Sequence, residues 1–256
     1  MNDTPVYRHG QFVWREIMTS NVEDTLRFYG EVVGWKHETA KMPDGSDYTM
    51  FKVGDKAVGG ALKLPMPGVP THWAMYVSVA DVDAAAARAA KLGGKVLFGP
   101  ADAGGMGRFA SVADPQGATI SLWKSNMGDS ARGETERPGR GEFCWEQLNT
   151  PDPKAAHPFY NALFGWNDAP FGGGGGMDVW SRGKTQVASR MQAPPGVPPH
   201  WLTYVVVDAL GAANNRVLKQ GGKVLMDKID IPTVGSISVV ADNVGAVIGL
   251  FETPHS

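Results

Sequence analysis

The chain has 256 residues, of which 43% are hydrophobic, and its 24 basic residues nearly balance 26 acidic ones. This length suits one or two globular domains, and a net charge of −2 offers no field that would attract nucleic acid or an anionic membrane. A single cysteine, Cys144, excludes an intrachain disulfide and a cysteine-rich zinc site. The polar start at Met1–Pro5 lacks the pattern of a secretion signal, and no apolar run approaches the roughly 20 residues that cross a bilayer. We therefore expect a cytoplasmic protein.

The first predicted elements are a strand, a helix and two further strands. Phe12 to Met18 is rich in apolar residues, and the polar Thr19-Ser20-Asn21 that follows suits a helix N-cap. Apolar residues then recur at steps of four, three and four, which is helical spacing. They are Val22, Leu26, Tyr29 and Val33. Gly34 ends the helix, and the strands are predicted at residues 48–53 and 57–64.

A second strand–helix–strand series follows. Trp73 to Val79 is a predicted strand, and Asp81 can cap a helix that ends near Gly93. The predicted buried stripe of this helix comprises Val82, Ala85, Ala89 and Leu92. Three strands are predicted at 95–98, 108–113 and 118–123, and the turn Asp114-Pro115-Gln116-Gly117 separates the last two.

The chain then repeats itself. One set of motifs recurs 131 residues later: Phe12-Val13-Trp14 as Phe143-Cys144-Trp145, Phe28-Tyr29 as Phe159-Tyr160, and Gly34-Trp35 as Gly165-Trp166. Another recurs 128 residues later: His72-Trp73 as His200-Trp201, Gly93-Gly94-Lys95-Val96 as Gly221-Gly222-Lys223-Val224, and Asp114 as Asp242. In the second copy Pro153, His157, Tyr160 and Phe164 occupy the helical steps, and Pro158 predicts a later helix start or a kink.

The repeat predicts an α+β protein made of four strand–helix–three-strand (βαβββ) units, two in each copy. We predict domain 1 at residues 11–124 and domain 2 at 142–252. Residues 125–141 are almost free of apolar side chains, which indicates a solvated linker that few contacts cross.

The ordered motifs resemble the vicinal oxygen chelate superfamily, which includes glyoxalase I, extradiol dioxygenases, methylmalonyl-CoA epimerase, and fosfomycin and bleomycin resistance proteins. The resemblance rests on Phe28-Tyr29 with Gly34-Trp35, on the helix start at 79–84 and on the turn at 114–117. Leu163-Phe164-Gly165-Trp166 and Pro198-Pro199-His200-Trp201 also resemble a tandem bacterial subgroup with glyoxalase-like or hydroxylase-like labels. The resemblance implies two glyoxalase-like domains with curled mixed sheets, each sheet enclosing a cleft.

In metal-using members of the superfamily, the resemblance implies up to four His, Glu or Gln ligands on the cleft floor. Counting from the motifs places these positions at residues that donate no imidazole or carboxylate. They are Trp14, Ala74 and Ser121 in the first copy, and Trp145, Leu202 and Gly249 in the second. The stretches 56–80 and 179–207 contain no Asp or Glu for the remaining ligand. A divalent ion needs several fixed donors, so we expect no metal and no cofactor.

One alternative is a relocated metal site. Strand side chains alternate between faces, so Glu16 shares a face with Trp14, and His72 shares one with Ala74 and Tyr76. A Glu16–His72 pair is therefore conceivable. Against it, each of His72 and His200 follows a Pro-rich turn, where the imidazole can hydrogen-bond the neighbouring loop.

The cleft floor is predicted to be aromatic, with a few polar groups, which suits a flat or apolar ligand. The predicted ligand-binding residues are Trp14, Glu16, His72, Tyr76, Ser121, Trp123, Trp145, Gln147, His200 and Tyr204. Phe251 lies on the same predicted face of the second copy. Glu16 is the candidate catalytic residue, as a general base, and the competing interpretation is that it is a surface residue. The competing interpretation is that these aromatic side chains fill the cleft as core.

Two further features have unremarkable interpretations. The Gly172–Gly176 run lacks the Gly-Lys-Ser/Thr of a phosphate loop and indicates a flexible surface or cleft loop. Cys144 is expected to be buried and inert on the face opposite Trp145.

Three functional hypotheses remain open. They are a metal-independent small-molecule binder or enzyme, a divalent-metal lyase or oxygenase with relocated ligands, and an interaction protein with filled clefts. The expected partner is a small molecule rather than nucleic acid or membrane, and the chain can be a monomer or a homodimer.

Overall fold

A computed structural model describes residues 5–42, 45–64, 68–129, 137–171 and 177–254. Over these residues the order strand, helix, three strands occurs four times, as the repeat predicts. The first copy comprises β1 (Phe12–Thr19), α1 (Val22–Val32), β2 (Lys36–Lys41), β3 (Asp47–Val53), β4 (Lys56–Lys63), β5 (His72–Ser78), α2 (Val82–Lys91), β6 (Lys95–Asp102), β7 (Gly107–Ala113) and β8 (Thr119–Ser125). The second copy comprises β9 (Phe143–Thr150), α3 (Pro153–Phe164), β10 (Asn167–Ala169), β11 (Asp178–Arg182), β12 (Thr185–Gln192), β13 (His200–Val207), α4 (Leu210–Lys219), β14 (Lys223–Ile231), β15 (Gly235–Ala241) and β16 (Val247–Glu252).

The strands form two mixed eight-stranded sheets with the same order. The first runs β2-β3-β4-β1-β5-β8-β7-β6, and the second runs β10-β11-β12-β9-β13-β16-β15-β14. Within each βαβββ unit the first strand pairs in parallel with the last, as β1 does with β4 and β5 with β8. The neighbouring outer strands are antiparallel. This confirms the predicted α+β class and the equivalence of the two copies.

Packing divides the chain into two compact units that do not follow the copies. Unit 1 comprises Met1–Trp14, Met75–Glu136 and Glu146–Trp201, and unit 2 comprises Arg15–Ala74, Arg137–Trp145 and Leu202–Ser256. Each unit therefore combines most of one βαβββ unit from each copy. The predicted domain boundaries concern the repeat along the sequence and stay a prediction.

The core of unit 2 is an aromatic cluster around Tyr29, whose ring contacts those of Trp35, Phe51 and Trp73. The Tyr29 hydroxyl accepts a hydrogen bond from Trp73 Nε1 at 2.9 Å and donates one to the Asp242 carboxylate at 3.2 Å. Burial, together with the nearby negative charge of Asp242, raises the pKa of Tyr29 well above its ordinary value. A helix residue of one copy is thus joined to a turn residue of the other.

Unit 1 repeats this arrangement around Tyr160. The hydroxyl accepts from Trp201 Nε1 at 3.0 Å and donates to Asp114 Oδ2 at 2.9 Å. The second carboxylate oxygen of Asp114 accepts from the backbone N–H groups of residues 116, 117 and 118. Trp166 is fully buried and donates to the Gly10 carbonyl at 2.6 Å. In each core, the motifs that reveal the repeat therefore join residues of one copy to residues of the other.

Most predicted helix boundaries are confirmed. Asn21 and Asp81 are N-caps whose side chains accept backbone N–H groups of α1 and α2. The predicted apolar stripe of α1 is partly wrong, because its buried residues are Thr25, Phe28, Tyr29 and Val32. Helix α3 begins at Pro153 and contains Pro158, so the later start is wrong, and the alternative of a kink stays a prediction. Pro153 fits the first turn of a helix, where its missing N–H has no partner to lose.

The ends of the predicted linker contact the body of the protein. Asp129 is mostly buried and accepts hydrogen bonds from the Arg8 backbone N–H at 2.7 Å and the Ser78 hydroxyl at 2.6 Å. Gly141 accepts from Trp35 Nε1 at 2.6 Å. The prediction that few contacts cross this segment is therefore wrong for its ends, and residues 130–136 lie outside the described residues. Each helix in the described part of the chain is too short or too polar to cross a bilayer.

Candidate functional site

In unit 2, Glu16 and Tyr48 lie together over Gly60. Glu16 of β1 is 6% exposed, and its backbone is paired with that of Gly60 in β4. A methyl group on Gly60 would overlap the Tyr48 hydroxyl and would lie 3.2 Å from Glu16 Oε1. The absent side chain of Gly60 therefore makes room for a carboxylate and a phenol on the same patch of sheet. Tyr48 and Gly60 were not predicted as site residues.

His72, also in unit 2, is held by its own loop. Its Nδ1 lies 2.8 Å from the Pro70 carbonyl oxygen. Since a carbonyl only accepts, Nδ1 carries the hydrogen and donates it. This confirms the predicted loop hydrogen bond. The His72 side chain lies at the exposed start of β5.

The remaining predicted residues of the first copy lie in unit 1. Trp14 is half-buried at the end of the β1 segment that belongs to this unit. The rings of Tyr76 and Trp123 lie 6.2 Å apart in an edge-on arrangement, and both side chains are half-buried. Ser121 is paired with Tyr76, and its hydroxyl lies 3.1 Å from that of Ser111. An aromatic pair with adjacent hydroxyl groups can stack on a flat ligand and hydrogen-bond it.

In unit 1, side-chain hydrogen bonds connect Gln147, Asn149 and His200 of the second copy. Gln147 Nε2 donates to Asn149 Oδ1 at 2.9 Å and contacts Met191 Sδ at 2.9 Å. Asn149 Nδ2 in turn lies 3.2 Å from His200 Nε2. His200 Nδ1 lies 2.8 Å from the Pro198 carbonyl oxygen, so Nδ1 carries the hydrogen and Nε2 accepts from Asn149. The loop hydrogen bond predicted for His200 is confirmed. Asn149 was missed, although it lies two residues after Gln147 on the same strand face.

In unit 2, the Tyr204 side chain of the second copy fills the space above Gly249. Tyr204 is paired with Gly249, and a methyl group at Gly249 would overlap the Tyr204 ring. The ring is 3% exposed and packs with Leu202 and Val239. Burial raises the pKa of Tyr204 above its ordinary value. The absent side chain of Gly249 therefore lets the tyrosine lie against the strand and fill the space above it.

Trp145 and Cys144 both pack against this Tyr204 cluster. Cys144 is half-buried rather than buried, and its thiol lies 3.5 Å from the Tyr204 carbonyl oxygen. Its placement on the face opposite Trp145 stays a prediction. The Gly172–Gly176 run, predicted to be a flexible loop, lies outside the described residues.

The residues at the family's ligand positions do not fit a divalent metal. Trp14 and Trp145 present indoles, Ser121 is a neutral hydroxyl, and Gly249 lies under an aromatic ring. Divalent metals of this type are held by imidazole, carboxylate or thiolate groups. Within the described ranges, no group of three or more His, Cys, Asp or Glu side chains could hold a metal ion. A Glu16–His72 pair would thus lack a third ligand of these types there.

Comparison with known proteins agrees with this architecture. Residues 11–122 match the family model described as Glyoxalase/Bleomycin resistance protein/Dioxygenase superfamily. CFP32 of Mycobacterium bovis, a protein named as a glyoxylase, is 32% identical over 257 residues, which cover 96% of each chain. The chain belongs to this superfamily. Another relative, named as the anthracycline biosynthesis protein DnrV of Streptomyces peucetius, is 30% identical and aligns with 87% of this chain and 86% of its own.

Solved structures of superfamily proteins share the fold. The Mn(II)-bound glyoxalase of Novosphingobium aromaticivorans has a TM-score of 0.63 at 15% identity, covering 96% of this chain and 83% of its own. The 2,3-dioxygenase LapB of Pseudomonas sp. KL28 has a TM-score of 0.63 at 13% identity, covering 98% and 94%. At these identities the likeness concerns the arrangement of the backbone and not the chemistry of the site.

Proposed function

We propose that this superfamily member binds or transforms a flat, largely apolar small molecule without a family-type metal. The observation that carries the proposal is the donor chemistry at the superfamily's ligand positions, where Trp14, Trp145, Ser121 and Gly249 stand. A Lewis acid held there would need groups that these side chains do not offer. Chemistry must therefore come from protein groups or from the ligand itself.

We assign the ligand to residues of the first copy. Tyr76 and Trp123 are half-buried, whereas Tyr204, the counterpart of Tyr76, is almost fully covered; Phe251, the counterpart of Trp123, is half-buried. A filled cleft, one of the hypotheses raised by the sequence, describes the Tyr204 cluster of the second copy. The relative named for anthracycline biosynthesis supports a planar aromatic ligand, because anthracyclines are fused-ring aromatic compounds.

Glu16 lies in unit 2, and we propose it as a general base only for a ligand bound within that unit. It is the buried carboxylate among the predicted site residues, and Tyr48 Oη lies beside it over Gly60. A carboxylate adjacent to a phenol can take a proton from a bound ligand while the phenol hydrogen-bonds the developing charge. We further propose a cytoplasmic protein, monomeric or homodimeric, with the small molecule as its partner.

The ligand assignment is tested with a hydroxyanthraquinone as a spectroscopic probe. Trp123 and Phe251 are matched positions, 128 residues apart and both half-buried. Trp123→Leu is expected to weaken probe binding at least tenfold, because stacking surface is lost, and Phe251→Leu is expected to change it less than twofold. Equal losses in both variants, or no saturable binding by the wild type, would contradict the assignment to the first copy.

The metal-free mechanism is tested separately. Purified protein is analysed for metals and then melted with Mn²⁺, Ni²⁺, Zn²⁺ or Fe²⁺. We expect no stoichiometric metal and no change in melting temperature beyond that produced by Mg²⁺ at the same ionic strength. One equivalent of a metal that is retained through gel filtration and raises the melting temperature would defeat this part of the proposal.

A further inference from the structure

A cavity of about 420 Å³ lies in unit 1, apart from all the predicted ligand-binding residues. It is lined by the turn before β1, the end of β5, the first turns of α2, the end of α3 and the end of β11. The polar or charged residues that matter for its chemistry are His9, Ser78, Asp81, Arg88 and Arg182. Its volume falls within the range of small-molecule sites.

Arginine side chains dominate the charge of this cavity. Arg88 and Arg182 are exposed, and within the residues that the structure describes neither side chain forms a hydrogen bond or an ion pair. The carboxylate in the lining, Asp81, accepts the backbone N–H of Ala84 at 2.9 Å and so caps α2. The His9 imidazole contacts the Ser78 hydroxyl at 3.3 Å, which itself donates to Asp129. The lining therefore carries two exposed arginines without an ion-pair partner and one carboxylate, that of Asp81, which caps α2.

The second copy shows what fills the equivalent place in unit 2. Arg140 and Asp208 occupy the positions of His9 and Ala80, and their side chains form an ion pair at 2.6 Å. Arg216 stands at the position of Arg88 and donates to the Val32 carbonyl oxygen at 2.9 Å. Unit 2 thus supplies its own carboxylate and a hydrogen-bond acceptor for its arginines. Unit 1 has a methyl group, that of Ala80, where unit 2 has the carboxylate.

We propose that the cavity of unit 1 binds a small oxyanion, a carboxylate or a phosphate, through Arg88 and Arg182. The ligand would supply the anionic partner that Arg88 and Arg182 lack in unit 1. Guanidinium groups match both oxyanions with paired N–H donors, and such charge-assisted hydrogen bonds are stronger than neutral ones. This site shares no residue with the proposed aromatic site, so either proposal can fail while the other stands.

The test titrates full-length protein with inorganic phosphate or with succinate, with sodium chloride at the same ionic strength as the reference. Calorimetry and melting temperature are both recorded, because a ligand of the folded state raises the melting temperature as its concentration exceeds the dissociation constant. We expect saturable binding of at least one probe. Phosphate binding without succinate binding would assign a phosphate ligand, and the reverse would assign a carboxylate.

Variants then locate the site. Arg88→Gln with Arg182→Gln is expected to abolish the response. Ala80→Asp leaves both arginines in place, adds a second carboxylate to the cavity lining, and is expected to weaken probe binding at least tenfold. Arg216→Gln is the matched control in unit 2 and should leave probe binding within twofold. No saturable response to either probe, or a response that survives both cavity variants, would overturn the proposal.

Discussion

Removal of the Tyr160 hydroxyl tests whether its two buried hydrogen bonds stabilise the core of unit 1. Tyr160→Phe removes one oxygen that accepts from Trp201 Nε1 at 3.0 Å and donates to Asp114 Oδ2 at 2.9 Å, all three groups being buried. A hydrogen bond to a charged group contributes about 1.5–3 kcal/mol, and an unpaired buried N–H costs about 1–3 kcal/mol. The lower ends apply, because Asp114 keeps three backbone N–H donors on its other oxygen. We therefore expect a loss of about 2.5 kcal/mol.

Urea denaturation followed by tryptophan fluorescence and by circular dichroism measures this loss. Tyr7→Phe is the control, because Tyr7 is half-buried near the surface and contacts Lys124 through its ring. That variant should stay within about 0.5 kcal/mol of the wild type. A folded Tyr160→Phe protein with the wild-type free energy of unfolding would show that the hydroxyl is not needed to join the two copies.

Three other substitutions test packing and electrostatics. Gly249→Ala should destabilise by about 1–3 kcal/mol, because the new methyl overlaps the Tyr204 ring, and a wild-type urea midpoint would contradict that packing. Gly211→Ala meets open space within α4 and should instead stabilise by about 0.5 kcal/mol in the same assay; any loss would be inconsistent with an unstrained helix position. The hydrogen bond and positive charge of Arg190 lower the pKa of Asp168, so the stability from its ionised form is present above the ordinary value of 3.8 and is lost as pH falls below it. Asp168→Asn should therefore flatten the decline of melting temperature as pH falls below the ordinary value of 3.8, and an unchanged acid profile would exclude this contribution.

The repeat made most of the topology predictable. Motifs in the same order at constant offsets showed four equivalent βαβββ units, and caps such as Asn21 and Asp81 are local signals that a sequence displays directly. Strands β2 and β10 escaped prediction because they are short or solvent-exposed and lack apolar alternation, as in Lys36–Lys41. The division into compact units also escaped, since it depends on packing between residues more than 100 positions apart.

The predicted histidine hydrogen bonds are confirmed because they join residues that are close in sequence. Pro70 and Pro198 stand two residues before His72 and His200, so the loop hydrogen bonds follow from neighbours in sequence. By contrast, the contact of Tyr48 with Gly60 depends on cross-strand register, which one sequence does not reveal. The same applies to the closure of Tyr204 over Gly249.

Shared cores have a consequence for the assembly of this polypeptide. Tyr29 needs Asp242, and Tyr160 needs Asp114, so a chain cut between the repeats would lose the acceptor of each tyrosine and expose two aromatic faces. Two identical half-length chains could, however, exchange these partners with one another. A protein with a single repeat would on this basis need two subunits, whereas two repeats in one chain make the same association independent of concentration.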